Sequence, residues 1–374
     1  MFSSLRGFFE RHRRKIVITG ALLGGAYALG KLAHWKLSDW YETQQVEFLA
    51  QSKKQLHFDG NQKTCNTTFY SLLPGLQDAI FELVDSEAIT EKLKNKPSDK
   101  LLLWEQLKIL SFTRTVTAIY ASSLLAVFLR VQLNLLGGYM YLDVEGVADE
   151  GTSATPEESR RVYMSDPTQK KYLGIVRYFL EAGVKDLVGV VQNVVEGVLG
   201  SVSLKQKLSY HDIKRMLGQI RQCLKFSSPE QLIEGSTTSQ LKISSIVLPK
   251  DSLSETDVIF SQLLNETADI LESEDFQVVF NTCLDVGFMF VMKQIKSSFI
   301  VDQQDTPPDM ICSIEDGLCS IHLPLAKICP IVNGKATEVF SEDKNDYLHD
   351  VVSLECVKSF AANIYEAFSS KPRV

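Results

Sequence analysis

The sequence predicts an all-α protein, an elongated helical bundle preceded by an N-terminal membrane anchor helix. Three observations support this fold class: apolar residues recur at helical spacing, caps and breakers separate these stretches, and no run alternates long enough to predict a sheet. With 374 residues, 45% of them hydrophobic and 23% charged, the composition is typical of a globular protein with ample material for a core.

The first predicted elements are a basic segment, 1–15, and a transmembrane anchor, 16–36. The basic segment ends in a cluster that contains Arg11, Arg13, Arg14 and Lys15. An apolar stretch follows directly, and Trp35 and Lys36 suit the membrane–water boundary at its end. A cleaved signal peptide is the alternative, but no clean small-residue cleavage site follows. The sequence therefore favours a single-span anchor, with residues 37–374 forming the helical body.

Breakers and caps divide the body into its elements. Helices are predicted over 37–58, 67–84 with an interruption at Pro74, 87–94, 99–136, 170–199, 209–225, from 254, 273–299 and 353–369, and a short helical or turn segment over 324–331. Asp59-Gly60-Asn61, Gly137-Gly138 and Asn333-Gly334 are predicted to end helices, Ser209 with Asp212 and Ser273 to begin them, and Thr155-Pro156 to begin another. Residues 145–154, 226–253 and 301–320 are predicted to be loops.

One stretch of the 99–136 helix, 115–129, carries no charge and could pass for a second membrane span. It is closely bounded by Arg114 and Arg130 and is shorter than the roughly 20 residues that a span needs. A helix that is apolar all round is more often the buried centre of a bundle. We therefore predict that residues 115–129 form the centre of the bundle.

The residue types that carry catalysis form no known arrangement. The net charge of −7 argues against nucleic acid as a partner. The seven cysteines include no Cys-x-x-Cys pair, and the six histidines have no metal-binding spacing. The sequence thus predicts a protein that is not an enzyme and needs no cofactor or metal.

A candidate binding segment lies at the start of the 99–136 helix. Leu93 and a lysine-rich stretch, 94–100, precede Leu101 and Trp104 in a generally acidic body. From periodicity alone, Trp104 is interpreted as a core residue. The alternative is an apolar groove with a cationic rim, which would suit an acidic amphipathic helix.

Several segments together resemble the peroxin-3 family over nearly the whole chain. They are FDGNQKTCN (58–66), LKNKP (93–97), LWEQLKILSFTR (103–114), LRVQLNLLGGYMYLD (129–143), GSVSLK (200–205), LNETADILES (264–273), NTCLDVGF (281–288), LPLAKICPIVNG (323–334) and FAANIYEAFS (360–369). Residues 226–253 match poorly. The resemblance implies a peroxisome biogenesis factor with a twisted helical domain in the cytosol, held by its anchor on the peroxisomal membrane. It also implies docking of peroxin-19, a soluble carrier of new peroxisomal membrane proteins, with peroxin-16 and peroxisomal membrane lipids as further candidate partners.

The resemblance also implies a binding groove. The family's groove, which takes the amphipathic N-terminal helix of peroxin-19, corresponds here to Trp104 as the central anchor, surrounded by Leu93, Lys100, Met140 and Lys327. This reverses the interpretation of Trp104, which we expect to be exposed in the groove.

Orientation is the point on which the resemblance and a general rule disagree. The family places its N-terminus towards the peroxisome interior, whereas the positive-inside rule applied to 11–15 predicts the opposite. We hypothesise that the basic cluster is a targeting signal. The competing function is a membrane-tethered structural or lipid-handling helical protein, with 115–129 lining a lipid cavity.

Overall fold

A computed structural model describes residues 44–45, 48–95, 98–149, 164–224, 242–249, 257–299, 321–341 and 346–370. The predicted basic segment and anchor lie outside these residues, as do the predicted helix start at Thr155 and the loop 301–320. The chain divides into two units, Met1–Asp59 and Gly60–Val374. In the first unit, residues 48–59 are helical, and Phe48, Leu49 and Leu56 are exposed.

The second unit is built from helices. Those described are α1 (60–83), α2 (Ser86–Lys94), α3 (Lys100–Asp149), α4 (Asp166–Leu173), α5 (Ile175–Tyr178), α6 (Val184–Leu199), α7 (Tyr210–Cys223), α8 (Ile243–Val247), α9 (Val258–Glu272), α10 (Glu274–Lys296), α11 (Leu325–Phe340), α12 (Asp346–Ser353) and α13 (Glu355–Ser369). A π-helical turn, Phe179–Gly183, joins α5 to α6, and a 3₁₀ turn, Ser297–Phe299, follows α10.

Strands contribute little to the described residues. They form one antiparallel pair, β1 (Lys207–Leu208) and β2 (Leu323–Pro324), with Lys207 opposite Pro324 and Leu208 opposite Leu323. This pair holds the segment before α7 beside the start of α11. The predicted all-α class is confirmed.

The core forms around α3. Every residue from Thr115 to Leu129 is at most 2% exposed, and α3 packs against α2, α6, α9, α10, α11 and α13. A helix covered on all sides has no polar face, which explains its charge-free stretch. The prediction that 115–129 is the centre of the bundle is confirmed.

Two helices in the described part of the chain are long and apolar enough to cross a membrane. These are Lys100–Asp143, whose most apolar stretch is wholly buried within the protein, and Glu274–Phe299, whose most apolar stretch is half buried. Burial of the first within the bundle accounts for its hydropathy, because a core helix has the same composition as a span.

Gly137 and Gly138 do not end α3, which continues to Asp149. A Cβ atom on Gly138 would lie 2.7 Å from Cβ and 2.8 Å from the carbonyl carbon of Phe368 in α13. A Cβ atom on Gly137 would lie 2.9 Å from Nδ2 of Asn61 in α1. The prediction of a helix end is wrong because these glycines permit close helix packing rather than a C-cap.

Three further predicted breaks are absent because the helices continue through them. Gly60 and Asn61 are helical, Pro74 lies within α1, and α11 extends past Asn333 and Gly334 to Phe340. Part of the predicted loop 226–253 is also helical: α8 buries Ile243, Ile246 and Val247. A breaker in a helix interior costs only about 1 kcal/mol for glycine and about 3 kcal/mol for proline, so a long helix can continue through it.

The predicted helix starts at Ser209 and Ser273 are confirmed. Ser209 and Asp212 form a capping box, in which Oγ of Ser209 accepts from the Asp212 amide and the Asp212 carboxylate accepts from the Ser209 amide. Ser273 caps α10 by accepting from the Phe276 amide at 3.2 Å. These local signals depend on few residues and are readable from sequence.

Candidate functional site

A groove of about 880 Å³ opens between α2, the first three turns of α3, and the middle of α11. It is lined by Glu87, Thr90, Glu91, Leu93, Lys94, Asn95, Lys100, Trp104, Leu107, Ser111, Pro330, Asn333 and Gly334. This volume falls within the usual range for ligand pockets.

Helical periodicity brings the lining residues of α3 to one face. Lys100, Trp104, Leu107 and Ser111 are spaced by four, three and four residues, so they line up along about 17 Å of helix axis. Trp104 is partly buried against this wall, while Lys100 at the end of the row is exposed. The α3 wall therefore combines an apolar middle with a cationic end.

Arg114 fixes α2 against α3 below the groove. Its side chain is 2% exposed, and its guanidinium carbon lies 3.5 Å from the centre of the Phe81 ring. Its Nη1 donates to Oε1 and Oε2 of Glu87 at 2.6 and 2.8 Å, and to Oγ of Ser86 at 2.5 Å. A buried cation needs such partners, since an unpaired charge in the core is costly. The position of the α2 wall thus depends on Arg114.

The contacts of Arg114, Glu87 and Ser86 extend to α11, which forms the third wall of the groove. Nδ2 of Asn333 in α11 donates to Oγ of Ser86 at 3.0 Å. Ser86 is fully buried at the first position of α2, and Asp85 caps that helix by accepting from the Ala88 amide at 2.8 Å. One serine hydroxyl therefore links α2, α3 and α11, the three helices that form the groove.

Glu87 is held ionised by this arrangement. Burial alone would raise the pKa of its carboxyl, but the hydrogen bonds and charge of Arg114 outweigh that effect, and the pKa lies below its ordinary value of 4.5. Since Glu87 and Arg114 neutralise each other, the charges left at the groove are Glu91, Lys94 and Lys100. The cationic rim predicted from the sequence is thus a mixed rim with an excess of one positive charge.

Three of the five predicted groove residues come together. Leu93, Lys100 and Trp104 all line the groove. Lys327 is exposed on α11, one turn before the lining residue Pro330, and so stands beside the groove rather than in it.

Met140 does not belong to this groove. It lies on α3, 36 residues beyond Trp104, which corresponds to about 54 Å along the helix. It is 39% exposed, close to Tyr139, whose ring contacts Phe368 of α13. The expectation that Met140 adjoins Trp104 is therefore wrong, because α3 is one continuous helix and the two residues lie far apart along it.

Sequence reasoning missed several lining residues. Leu107 and Ser111 could have been found, because they continue the spacing of Lys100 and Trp104 along α3. Pro330, Asn333 and Gly334 could not, since more than 200 residues separate them from the lining residues of α3 and no local pattern links them. The predicted targeting residues Arg11, Arg13, Arg14 and Lys15 lie outside the described residues.

The buried thiols are poor candidates for chemistry. Burial raises the pKa of Cys65 to about 11, and the pKa values of Cys283 and Cys329 to about 12. A thiol that stays protonated is neither a nucleophile nor a metal ligand. In the part of the chain that the structure describes, no cluster of three His, Cys, Asp or Glu side chains could hold a metal.

The alternative of a lipid cavity along 115–129 finds no support in the packing. Oγ1 of Thr115 donates to the Val332 carbonyl at 2.7 Å, and the hydroxyls of Ser122 and Ser123 lie 2.8 and 3.1 Å from that of Tyr347. These polar groups are satisfied by other helices, and their neighbours on α3 are buried among protein side chains.

Comparison with known proteins finds one family that matches nearly the whole chain. A family model described as Peroxin-3 matches residues 7–101 and 95–367. Peroxisomal biogenesis factor 3 of Bos taurus and that of Homo sapiens are each 39% identical over 379 residues, covering 99% of this chain and 98% of the relative. Peroxisome biogenesis protein 3-1 of Arabidopsis thaliana is 29% identical over 376 residues, covering 96% of this chain and 98% of the relative. With this agreement over nearly the full length, the chain belongs to the peroxin-3 family of peroxisome biogenesis factors.

Proposed function

We propose that this peroxisome biogenesis factor is a docking receptor for peroxin-19, which it binds through the groove between α2, α3 and α11. The carrier's amphipathic N-terminal helix occupies the groove, and docking promotes insertion of peroxisomal membrane proteins. The observation that carries the proposal is Trp104, a partly buried indole on the groove wall beside Leu93, with Lys100 one turn away.

The dimensions of the groove suit a helix. The α3 wall extends over about 17 Å, which is about three turns of a bound α-helix. Three turns carry apolar side chains at positions i, i+3 or i+4, and i+7, the usual anchors of a helix in a groove. Leu93 and Leu107 flank Trp104 and provide the remaining apolar contacts.

Charge supports an acidic partner. Once Glu87 is neutralised by Arg114, Lys94 and Lys100 outnumber Glu91 at the groove, and Lys327 adds a further cation beside it. In a chain of net charge −7, this local excess of cations favours encounter with carboxylates on the carrier helix. The apolar wall contributes affinity, and the lysines contribute orientation and association rate.

The anchor completes the proposal. Residues 16–36 hold the chain in the peroxisomal membrane with the body in the cytosol, and the basic cluster within 1–15 acts as part of the targeting signal. Contacts with peroxin-16 and with membrane lipids remain predictions of the family resemblance.

The test is direct binding. The full-length chain in phosphatidylcholine nanodiscs is titrated with a labelled peptide of the carrier's N-terminal helix, and Trp104→Ala is compared with wild type. We expect a large loss of affinity with an unchanged helical fold. Equal affinity of the two proteins would exclude the groove as the docking site.

A further inference from the structure

A second groove lies between α7 and α10, and we call it the α7–α10 trough. Its volume is about 460 Å³, and it is lined by Tyr210, Lys214, Leu217, Gly218, Arg221, Asp285, Phe288, Met289, Met292, Lys293 and Lys296. None of these residues lines the groove around Trp104.

The trough runs between antiparallel helices. The Tyr210 ring at the start of α7 contacts Phe299 just beyond the end of α10, with ring centres 6.3 Å apart. Near the end of α7, Arg221 pairs with Asp285 and donates to the Asn281 carbonyl at 3.1 Å. Each wall covers 12 residues of helix, so the trough is about 17 Å long.

The floor of the trough is apolar. Leu217, Phe288 and Met292 are 2–8% exposed, and Met289 beside them is 64% exposed. A Cβ atom on Gly218 would meet nothing within 4 Å, so the α7 wall is open at its middle. Methionine side chains adapt to varied partners, as is typical of surfaces that bind helices.

Both walls carry cations that the described residues do not neutralise. Lys214 on α7, and Lys293 and Lys296 on α10, form no ion pair with any residue that the structure describes. The single acidic lining residue, Asp285, is paired with Arg221. Three lysines with no ion-pair partner among the described residues thus border an apolar floor, in a chain of net charge −7.

From this arrangement we propose that the α7–α10 trough binds an acidic amphipathic helix of a partner protein, at a site separate from the Trp104 groove. The floor takes one apolar stripe of about three turns. Lysines on both walls match carboxylates on both sides of that stripe. A phospholipid has its charge at one end, so it fits cations on two opposite walls less well.

The probe is a fluorescein-labelled peptide of about 12 residues, or three turns, with leucines three and four apart and glutamates on both flanks. A peptide of the same composition in scrambled order is its control. Binding to the full-length chain in phosphatidylcholine nanodiscs is followed by fluorescence anisotropy.

Two pairs of variants test the site. Gly218→Leu fills the trough, and Gly189→Leu, in the interior of α6, is its match because a Cβ atom there also meets nothing within 4 Å. A Cβ atom at either position meets no atom within 4 Å, and leucine favours a helix more than glycine does, so circular dichroism should show equal helicity in the two variants. Charge reversal to Glu at Lys214, Lys293 and Lys296 is matched by reversal at the exposed helical lysines Lys170, Lys185 and Lys358.

We expect the ordered peptide to bind wild type and both control proteins equally, and each trough variant about tenfold or more weakly. The loss in the trough variants should be the same when Trp104→Ala is also present, because the Trp104 groove, which is proposed to take an acidic helix as well, then no longer contributes. Equal loss in both charge-reversal proteins would mean that net charge alone attracts the peptide, and unchanged binding by Gly218→Leu would place the peptide elsewhere. Either result overturns the proposal. A third result would also overturn it: the peptide does not bind wild type, whereas fluorescent phosphatidylserine does, and Gly218→Leu abolishes that lipid binding. The trough would then be a lipid site.

Discussion

Replacing Trp104 by alanine tests the central assignment. The indole is partly buried in the free protein, so only the exposed part, on the order of 50 Å² for a ring of this size, becomes covered on docking. A similar apolar area of the carrier helix is covered against it. At about 25 cal/mol per Å², about 100 Å² corresponds to about 2.5 kcal/mol, or somewhat under a hundredfold in Kd.

The assay is titration of the labelled carrier helix into full-length protein in nanodiscs. Leu102→Ala is the matched control, because Leu102 lies on the same helix, is 59% exposed and does not line the groove. Met140→Ala should also bind normally, since Met140 is about 54 Å along α3 from Trp104. Circular dichroism should show equal helicity in all four proteins. Affinity within about twofold of wild type for Trp104→Ala, or an equal loss in Leu102→Ala, would refute the reasoning.

Three further outcomes are expected. Gly138→Ala should destabilise the protein by about 1–3 kcal/mol, because its Cβ would lie 2.7 Å from Cβ of Phe368. Gly189→Ala, where a Cβ atom meets nothing within 4 Å, should stabilise the protein by about 0.5–1 kcal/mol. Urea unfolding that showed equal effects of the two substitutions would contradict this. The pKa of Glu87 is lowered in the folded state, so its ionised form contributes stability above the unfolded pKa of about 4.5 that is lost as pH falls through the folded value. The difference in unfolding free energy between wild type and Glu87→Gln should therefore be largest near neutral pH and shrink below about pH 4.5, whereas a constant difference would exclude this role. Replacing the basic cluster by glutamine should abolish peroxisomal localisation in fluorescence imaging, and unchanged localisation would reject the targeting hypothesis; the residues changed are Arg11, Arg13, Arg14 and Lys15.

Local signals were read correctly where few residues decide them. The caps at Ser209 and Ser273 need only a side chain and an amide three residues away. The helix end predicted at Gly137 and Gly138 was wrong, because packing between helices determines the backbone conformation there. Gly138 resembles a helix end in sequence, but it lies inside α3 because only a glycine admits the backbone of Phe368 at that distance. No pattern among the residues near Gly138 in the sequence indicates the contact with Phe368.

The candidate site also contains residues that are close in the sequence and residues that only the tertiary structure brings together. Leu93, Lys100 and Trp104 lie within twelve residues of one another, on the end of α2 and the start of α3, and the family resemblance placed all three at the groove. Met140 was grouped with them by the family resemblance alone, although α3 carries it about 54 Å away along the helix. The α11 wall follows from the Arg114, Ser86 and Asn333 contacts, which join distant parts of the chain.

The sequence by itself determined the helical class, the buried centre of α3 and membership of the peroxin-3 family. The spacing of apolar residues, the length of the stretch without charged residues and the similarity of long segments to the family can all be read from the order of residues along the chain. The tertiary structure alone decided which helices form the walls of the groove, that Arg114 neutralises Glu87 there, and that three lysines without an ion pair among the described residues surround the α7–α10 trough. The physical reason is that burial, ion pairing and close approach depend on contacts between residues far apart in sequence, and those contacts exist only once the helices have packed.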